Sequence, residues 1–322
     1  MKLINMLKFR GFLILSLLIL LSSTFQVHAQ KDLAIGVAPT SKLIKLSPDE
    51  VYSDEVVFWN LTQSTDTYKV FIKGFRQIEN HPGTAVILTE EEEANSLYSA
   101  SKWVTAEKDT LSLEPHKNTK LKYTIKVPKD TTPGEYNVEI FLISESEFNE
   151  KGTATFANLA SGVPILIQIG DEYVQNAELL KFITDKKIYE KIDVTFLSTI
   201  KNLGNTHIKP SGDIVVTNIF KQEVARVPYN NHSQSLLRDN TGNFEDTWQH
   251  SGYLSLDKAI ILGPMTATAL ITYKTPHPGF SVLSEETTFW VIPWKIIFVI
   301  IMAILLIIMF RIIKKKIAEK QK

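Results

Sequence analysis

The sequence predicts an all-β protein made of two tandem antiparallel sandwiches followed by one C-terminal transmembrane helix. Three observations carry this prediction. Short runs rich in Val, Ile, Tyr and Phe recur along the chain, turn-forming residues separate them, and a long apolar run lies near the end.

The first half of the chain has the pattern of strands. Five apolar runs lie at 55–59, 68–72, 120–127, 136–143 and 163–169, and Pro- or Gly-containing turns separate several of them. In the run 120–127, Leu121, Tyr123, Ile125 and Val127 alternate with polar residues, which is the period of a strand with one buried face. A short amphipathic helix is predicted over 90–100. We assign 30–172 to the first sandwich.

A second block repeats the pattern. Its runs lie at 192–200, 211–219, 224–227, 267–273 and 286–291, within a unit of about 110 residues, the size of one sandwich. The boundary between blocks falls near 170–175, so the second sandwich is assigned to 176–289. Asn-Leu directly follows a strand in both blocks, at Asn60 and Asn202, where an Asn side chain can hydrogen-bond the turn.

The apolar run predicts a membrane span over 290–313. Residues 296–310 are fifteen consecutive apolar residues, and Trp290 and Trp294 lie where an interfacial aromatic belt is expected. Lys295 and Arg311 bracket the run and can extend their charged ends to the interface. The residues that follow are mostly basic, which predicts a cytoplasmic tail over 314–322 that begins with Lys314, Lys315 and Lys316.

The N-terminus predicts export. A basic leader, an apolar core at 11–21 and a polar segment ending at Ala29 form a secretory signal peptide over 1–29. An uncleaved segment would instead act as a second anchor with its basic end in the cytoplasm. Either outcome places the middle of the chain on the extracytoplasmic side, and cleavage leaves a single-pass cell-membrane protein. The sequence has no cysteine, so its exported part depends on a hydrophobic core rather than on disulfides.

The charge distribution argues against a nucleic-acid partner. The chain has 35 basic and 35 acidic residues, but the signal peptide and the segment from Lys295 onward hold 10 of the basic and one of the acidic residues. The exported part therefore carries 25 basic and 34 acidic residues, a net charge of −9. Such a surface repels nucleic acid.

Candidate catalytic residues form no motif, so we expect no enzyme, no cofactor and no metal. The six histidines after the signal peptide include no pair spaced for a metal, no cysteine is present, and no nucleophile elbow or phosphate loop occurs. His81, His116, His207 and His277 are predicted in solvated turns. The acidic run 90–93 predicts a solvated loop or a helix start, and 239–246 a polar hairpin, with a bound divalent cation as the alternative for each.

The chain also resembles a known family. The segments that carry the resemblance are 46–49 (LSPD), 56–60 (VVFWN), 103–104 (WV), 113–115 (LEP), 123–128 (YTIKVP), 133–136 (PGEY), 185–190 (DKKIYE), 201–210 (KNLGNTHIKP) and 289–294 (FWVIPW). They resemble the bacterial immunoglobulin-like proteins named for interacting with WxL surface proteins, a group similar to fimbrial chaperones, and their membrane-anchored versions. The resemblance implies two immunoglobulin-like sandwiches on the cell surface that bind another surface protein or a wall polymer. The chain departs from the family in having no wall-sorting signal and no WxL pair.

Three functions follow as hypotheses. The first is a membrane-anchored scaffold or adhesion protein that binds a surface protein or wall polymer. The second is an anchored chaperone-like module acting by β-strand addition, for which Val163, Ile165, Ile167 and Ile169 are the candidate edge strand. The basic pair expected of true fimbrial chaperones is not placed. The third is an extracytoplasmic hydrolase or transport component, which no local motif supports.

Overall fold

The computed structural model describes residues 35–145, 161–255, 259–274 and 279–320, with backbone alone over 315–320. The predicted signal peptide lies outside these ranges, as do the side chains of Lys315 and Lys316. Within them the chain is mostly β-strand with one long helix at the C-terminal end, so the predicted all-β fold class with two tandem sandwiches is confirmed.

Residues 35–145 and 161–169 form the first sandwich and a small hairpin. One sheet has the order β1-β3-β9-β7, the facing sheet has the order β2-β11-β10-β4-β8, and β5 pairs with β6. All pairings in these sheets are antiparallel except that of β2 with β11. The strands are β1 (Ile35–Ala38), β2 (Lys42–Leu46), β3 (Val51–Asn60), β4 (Asp66–Lys73), β5 (Phe75–Ile78), β6 (His81–Ile87), β7 (Val104–Ala106), β8 (Thr110–Leu113), β9 (Asn118–Lys126), β10 (Gly134–Ser144) and β11 (Ser161–Ile169).

Residues 177–255, 259–274 and 279–291 form the second sandwich. Its sheets have the orders β12-β14-β17 and β13-β19-β18-β15-β16, and the short β13 pairs in parallel with the end of β19. The strands are β12 (Ala177–Thr184), β13 (Ile188–Tyr189), β14 (Ile192–Asn202), β15 (Ser211–Asn218), β16 (Glu223–Tyr229), β17 (Thr241–His250), β18 (Gly263–Lys274) and β19 (Phe280–Val291).

Each sandwich has its own hydrophobic core. The alternation predicted for 120–127 is confirmed, because Leu121, Tyr123 and Ile125 of β9 are buried between the sheets of the first sandwich. Phe196 of β14 and Phe289 of β19 face each other across the second core, with ring centroids 6.2 Å apart. Burial of each such side chain stabilises the fold by roughly 1.5–3 kcal/mol.

The two Asn residues at strand ends hold equivalent turns. The Asn60 side chain accepts from the N–H of Thr62 (2.8 Å) and donates to the carbonyl of Ser64 (2.8 Å). The Asn202 side chain likewise accepts from the N–H of Gly204 (2.9 Å) and donates to the carbonyl of Thr206 (2.9 Å). Both Asn side chains are fully buried, so the internal repeat seen in the sequence is a repeat of structure.

The acidic run is a helix start, as predicted. Helix α1 (Glu90–Asn95) is followed by one 3₁₀ turn (Ser101–Trp103), so the helix is shorter than the predicted 90–100. Thr89 and Glu92 form a capping box that satisfies two backbone N–H groups at the helix N-terminus. The carboxylate of Glu93 accepts from the backbone N–H of Gly74 (2.8 Å).

The prediction of a polar hairpin at 239–246 is wrong. Residues 241–246 begin β17, which pairs with β14 along its whole length. Phe244 is buried, and Asp246 accepts from the backbone N–H of Asn230 at 3.1 Å. Burial raises the pKa of Asp246 above its ordinary value. The backbone N–H groups of Asn230 and Asn231, which donate to this carboxylate, act to lower the pKa but do not outweigh burial. The sequence pattern did not reveal this strand, because its polar residues alternate with only two large apolar residues.

The long helix begins four residues later than predicted. Helix α2 (Trp294–Lys320) follows β19 after only Ile292 and Pro293, so Trp290 belongs to the strand, where it pairs with Pro264. The helix also continues past the predicted end of the span into the basic tail. Residues 294–314 are long and apolar enough to cross a membrane, with a mean hydropathy of 3.3, and the helix is not buried against the rest of the chain.

Candidate functional site

A carboxylate buried between the sandwiches joins them. Glu135 is the second residue of β10 in the first sandwich, and its side chain is 3% exposed. It accepts hydrogen bonds from the backbone N–H of His207 (3.1 Å) and from Gln168 Nε2 (3.2 Å), and it lies 2.6 Å from His207 Nδ1. The backbone N–H of Glu135 donates to the carbonyl of Asn205 (2.8 Å). A single residue of the first sandwich thus contacts the turn 203–208 of the second through both backbone and side chain.

A glycine permits this close approach. Gly134 has φ +141°, and a Cβ there would lie 2.8 Å from Arg238 Nη1 and 3.1 Å from the Asn205 carbonyl. A side chain at this position would crowd the Asn205 carbonyl and require Arg238 to shift, in a backbone conformation that residues other than Gly rarely adopt. Arg238 in turn lies over the ring of Tyr98, 3.8 Å from its centroid, and the Tyr98 hydroxyl donates to Asp239 (2.8 Å). The Asp239 side chain is therefore part of the junction.

A second set of contacts joins the β5–β6 hairpin to the second sandwich. Gln77 is buried, its amide donates to the Thr241 carbonyl (3.0 Å), and its side-chain oxygen accepts from the N–H of Leu237 (3.2 Å). The backbone of Asn80 accepts from Asn243 (3.0 Å), and Gly83 N–H donates to Ser235 (2.8 Å). Contacts from two separate elements of the first sandwich resist a hinge motion at the boundary.

A cleft lies beside this junction. One cavity of about 410 Å³ is lined by Leu43 and Gln168 of the first sandwich and by His207, Lys209 and Phe280 of the second. Leu43 is 52% exposed and Phe280 is 63% exposed. A second cavity of about 360 Å³ is lined by Pro164 and Leu166 of β11 on one side and by the loop 232–237 on the other. Ser233 lines both cavities, so they are neighbours beside the outward-facing residues Pro164, Leu166 and Gln168 of β11.

The predicted edge strand is not at the edge. Val163, Ile165, Ile167 and Ile169 are all fully buried in the first core, and β11 pairs with β10 over its whole length. Its other side pairs with β2 over 165–169, because the chain crosses from the first sheet at β1 to the second at β2. Within the described part of the chain, β2 is the edge of that sheet, and its outward-facing residue Leu43 lines the cleft.

The end of the second sandwich is tied to the helix. Trp290 and Ile292 donate backbone hydrogen bonds to the carbonyls of Lys187 and Tyr189 (both 2.8 Å). Lys295 of α2 forms an ion pair with Glu190 at 3.0 Å. Trp290 and Trp294 are exposed at this point, whereas Arg311 and Lys314 lie near the far end of the span.

The hydroxyl of Tyr189 donates to Asp185 at the same end of the second sandwich. Burial and this hydrogen bond raise the pKa of the Tyr189 phenol to about 12. The tyrosine therefore remains a neutral donor, and it holds the loop 185–189 next to the start of the helix.

The histidines occupy several environments. His81 begins β6 and is exposed, in a strand rather than the predicted turn, while the side chain of His207 is 21% exposed and lies against Glu135. His277 lies outside the described residues. In the described part of the chain no three His, Asp or Glu side chains come together as a possible metal site. Sequence reasoning missed the Glu135–His207 contact because the two residues are separated by 72 positions, although both lie in segments of the family resemblance.

Another cavity, of about 720 Å³, lies over β3, β7 and β9 of the first sandwich. Asp54 lines it and is paired with Lys42. Burial pushes the pKa of Asp54 upward, but hydrogen bonds from Lys42, from the Glu55 backbone and from Tyr52 outweigh it and leave that pKa below its ordinary value. The Asp54 carboxylate is thus ionised, and Lys42 beside it balances its charge.

No protein-family model and no protein of curated function matches the chain. Solved structures of similar fold include the CupB2 chaperone of Pseudomonas aeruginosa, at 8% identity and a TM-score of 0.37 over 78% of this chain and 99% of that one. They also include the CsuC–CsuE chaperone–tip adhesion subunit complex of Acinetobacter baumannii, at 8% identity and a TM-score of 0.37, over 78% of this chain and 97% of that one. A chaperone–tip adhesin complex of CFA/I fimbriae matches at 13% identity and a TM-score of 0.36, over 77% of this chain and 98% of that one. The architecture described above rests on the strand pairing of this chain.

Proposed function

We propose that this protein is a membrane-anchored extracytoplasmic scaffold whose two sandwiches bind an extended segment of another surface protein in the cleft between them. Helix α2 anchors it in the cell membrane, and the basic residues that follow the span lie in the cytoplasm. The proposal requires no cofactor and no catalytic residue.

The anchor and its orientation are supported by one helix and its flanks. Residues 294–314 form an apolar helix that is not buried inside the described chain and meets the second sandwich at its first turn, where Lys295 pairs with Glu190. Arg311, Lys314, Lys315 and Lys316 follow the apolar core, and an excess of Lys and Arg beside a span marks its cytoplasmic side. The sequence pattern of a signal peptide at 1–29 supports the same orientation.

The observation that carries the binding proposal is the exposure of Leu43 and Phe280 on opposite walls of the cleft. Neither side chain contributes to a core, and exposed apolar residues grouped in a concave site mark a place where another molecule is bound. Because Glu135 and Gln77 hold the two sandwiches together, the walls of the cleft are fixed before a partner arrives. A preorganised site loses less entropy on binding.

Strand addition is the second candidate, and one observation favours it. β2 is an edge strand of the described sheet and lies at the cleft, so its free backbone groups can pair with an extended partner segment. Hydrogen exchange separates this mode from side-chain binding. Strand addition slows exchange of β2 amides in the presence of the partner, whereas binding through Leu43 and Phe280 alone leaves those rates unchanged.

Photo-crosslinking on intact cells tests the proposal. A photoreactive amino acid replaces Leu43 or Phe280, and a matched control replaces Leu97, an exposed leucine of the first sandwich outside the cleft. We expect both cleft positions to crosslink to the same protein, position 97 to give none of that product, and Phe280→Asp to abolish the product at position 43. A product of wall glycan would assign the polymer as partner instead. No product at either cleft position, or equal yield at position 97, would contradict the proposal.

A further inference from the structure

We propose that the helix-proximal end of the second sandwich is itself a lipid-contacting surface that rests in the interfacial layer of the membrane. The inference rests on the proposed membrane span and goes beyond it, because it concerns loops distant in sequence from the helix. We call this surface the basal patch, and it consists of Ile188, Ile219, Phe220, Ile260, Leu262 and Trp290.

Strand register places these residues at one end of the sandwich. β19 ends at Val291, which lies opposite Gly263, the first residue of β18. Near the same end of β18, Met265 lies opposite Asn218, the last residue of β15. The turn after β15 and the segment before β18 are therefore at the end where β19 runs into α2. Ile188 pairs with Trp290 at this end as well.

The tip of the turn after β15 is apolar and exposed. Ile219 is 63% exposed and Phe220 is 69% exposed. Turn tips normally carry Gly, Asn, Asp, Pro or Ser, because these residues suit the backbone and the solvent. Ile219 and Phe220 are adjacent and both exposed, and a group of exposed apolar residues, unlike a single one, marks a surface that contacts another molecule or a membrane.

The turn is held in place rather than frayed. The buried side chain of Asn218 accepts from the N–H of Phe220 (2.9 Å) and donates to the carbonyl of Ile260 (3.2 Å). The N–H of Lys221 donates to the Asn218 carbonyl (2.9 Å). One Asn thus fixes the turn 219–222 and ties it to the segment that carries two further residues of the basal patch, Ile260 and Leu262.

The occupant is identified by continuity with the span. Only Ile292 and Pro293 separate the strand that carries Trp290 from the helix. β15 lies two strands from β19 in the sheet, which places the turn roughly 10 Å to the side of the span. Apolar groups so close to a span lie within reach of the interfacial layer, into which an apolar face sinks by about 5–10 Å.

The charges at this end fit a lipid surface. Lys187, Lys191 and Lys221 lie at the same end, where their side chains can extend to headgroup phosphates while the apolar residues enter the layer. The acidic groups nearest the helix are already occupied, because Glu190 pairs with Lys295 and Asp185 accepts from Tyr189. Contact through both the helix and the basal patch holds the second sandwich upright and directs the cleft away from the membrane.

Single-cysteine labelling tests this inference, because the chain has no cysteine of its own. The full-length chain carries Phe220→Cys, or Ile219→Cys as a second position at the same tip, labelled with an environment-sensitive fluorophore. It is reconstituted in vesicles of phosphatidylcholine and phosphatidylglycerol that contain a nitroxide-labelled lipid. Leu97→Cys in the first sandwich is the matched exposed control, and Leu305→Cys within α2 reports the span itself.

We expect strong quenching at positions 219, 220 and 305 and none at 97. If the label at 305 is quenched while the labels at 219 and 220 are as unquenched as the label at 97, the basal patch is overturned and the span stands. An unquenched label at 305 would overturn both the span and the patch. Equal quenching at 97 and 220 would show the whole chain lying on the vesicle, which also contradicts a patch confined to one end.

Discussion

The carboxylate of Glu135 accepts a hydrogen bond from the backbone N–H of His207 at 3.1 Å, across the boundary between the two sandwiches. Its second oxygen lies 2.6 Å from the His207 ring. Since the Glu135 side chain is 3% exposed, these contacts replace the water that a free carboxylate would bind. The two sandwiches are therefore joined by a buried polar contact rather than by a flexible linker.

Removal of this carboxylate is expected to destabilise the chain. Glu135→Ala leaves the His207 N–H and the Gln168 amide without a buried acceptor, which costs about 2–4 kcal/mol of the free energy of unfolding. Urea unfolding followed by tryptophan fluorescence measures the change. Glu114→Ala is the control, because Glu114 is paired with Lys117 on the surface, and its midpoint stays at the wild-type value. Equal midpoints for the two variants would refute the role of Glu135.

The junction is also expected to be rigid. Spin labels at Leu97→Cys and Leu180→Cys, one on each sandwich and both exposed, should give one narrow distance distribution. The same pair in a Glu135→Ala, Arg238→Ala background should give a broader one, because the contacts of Glu135, His207 and Tyr98 are lost. Pulsed electron paramagnetic resonance measures both. A broad distribution in the otherwise unaltered chain would show that the sandwiches move independently.

The buried Asn at the end of β14 is expected to be a major stabilising residue. Asn202→Ala removes a donor to the carbonyls of Thr206 and Leu236 and an acceptor for Gly204, at a cost of about 2–4 kcal/mol. Thermal unfolding followed by circular dichroism checks this. Asn95→Ala, which removes one exposed hydrogen bond to Glu91, provides the comparison and should shift the midpoint little. Similar shifts for both substitutions would count against the structural role of the turn.

One carboxylate makes stability depend on pH. Burial raises the pKa of Glu139 to about 7, from the 4.5 of a free glutamate. The folded chain then holds a proton that the unfolded chain releases between these values, so this group lowers stability as pH rises from about 4.5 to about 7. Glu139→Gln should unfold like the wild type at pH 4 and be more stable at pH 8, by on the order of 1–3 kcal/mol. A difference that does not grow between the two pH values would rule this effect out.

The sequence predicted well what depends on periodicity. β9 alternates and buries the predicted side chains, and the apolar run at 163–169 is a strand, as predicted. The turns after Asn60 and Asn202 were recognisable because an Asn side chain bonds its own turn locally. The apolar run at 296–310 predicted a helix, and the predicted strand at 286–291 forms the end of β19, so only the start of the span, assigned to 290, was placed too early.

Features that depend on distant partners were not predictable. The position of β11 inside its sheet depends on β2, whose parallel pairing joins segments more than a hundred residues apart. His207 was predicted in a solvated turn and Glu135 lies just before the predicted strand 136–143, and only the packing of one sandwich on the other buries the Glu135 side chain against His207. The cleft depends on the same packing, because Leu43 and Phe280 come from opposite ends of the chain.

The side of the membrane on which the sandwiches lie tests the account most directly. A membrane-impermeant maleimide is applied to intact cells that express Leu97→Cys or Lys320→Cys in the full-length chain, which has no other cysteine. The account predicts labelling at position 97 on intact cells and at position 320 only after the cells are opened. Labelling at 320 with protection of 97 on intact cells would contradict it.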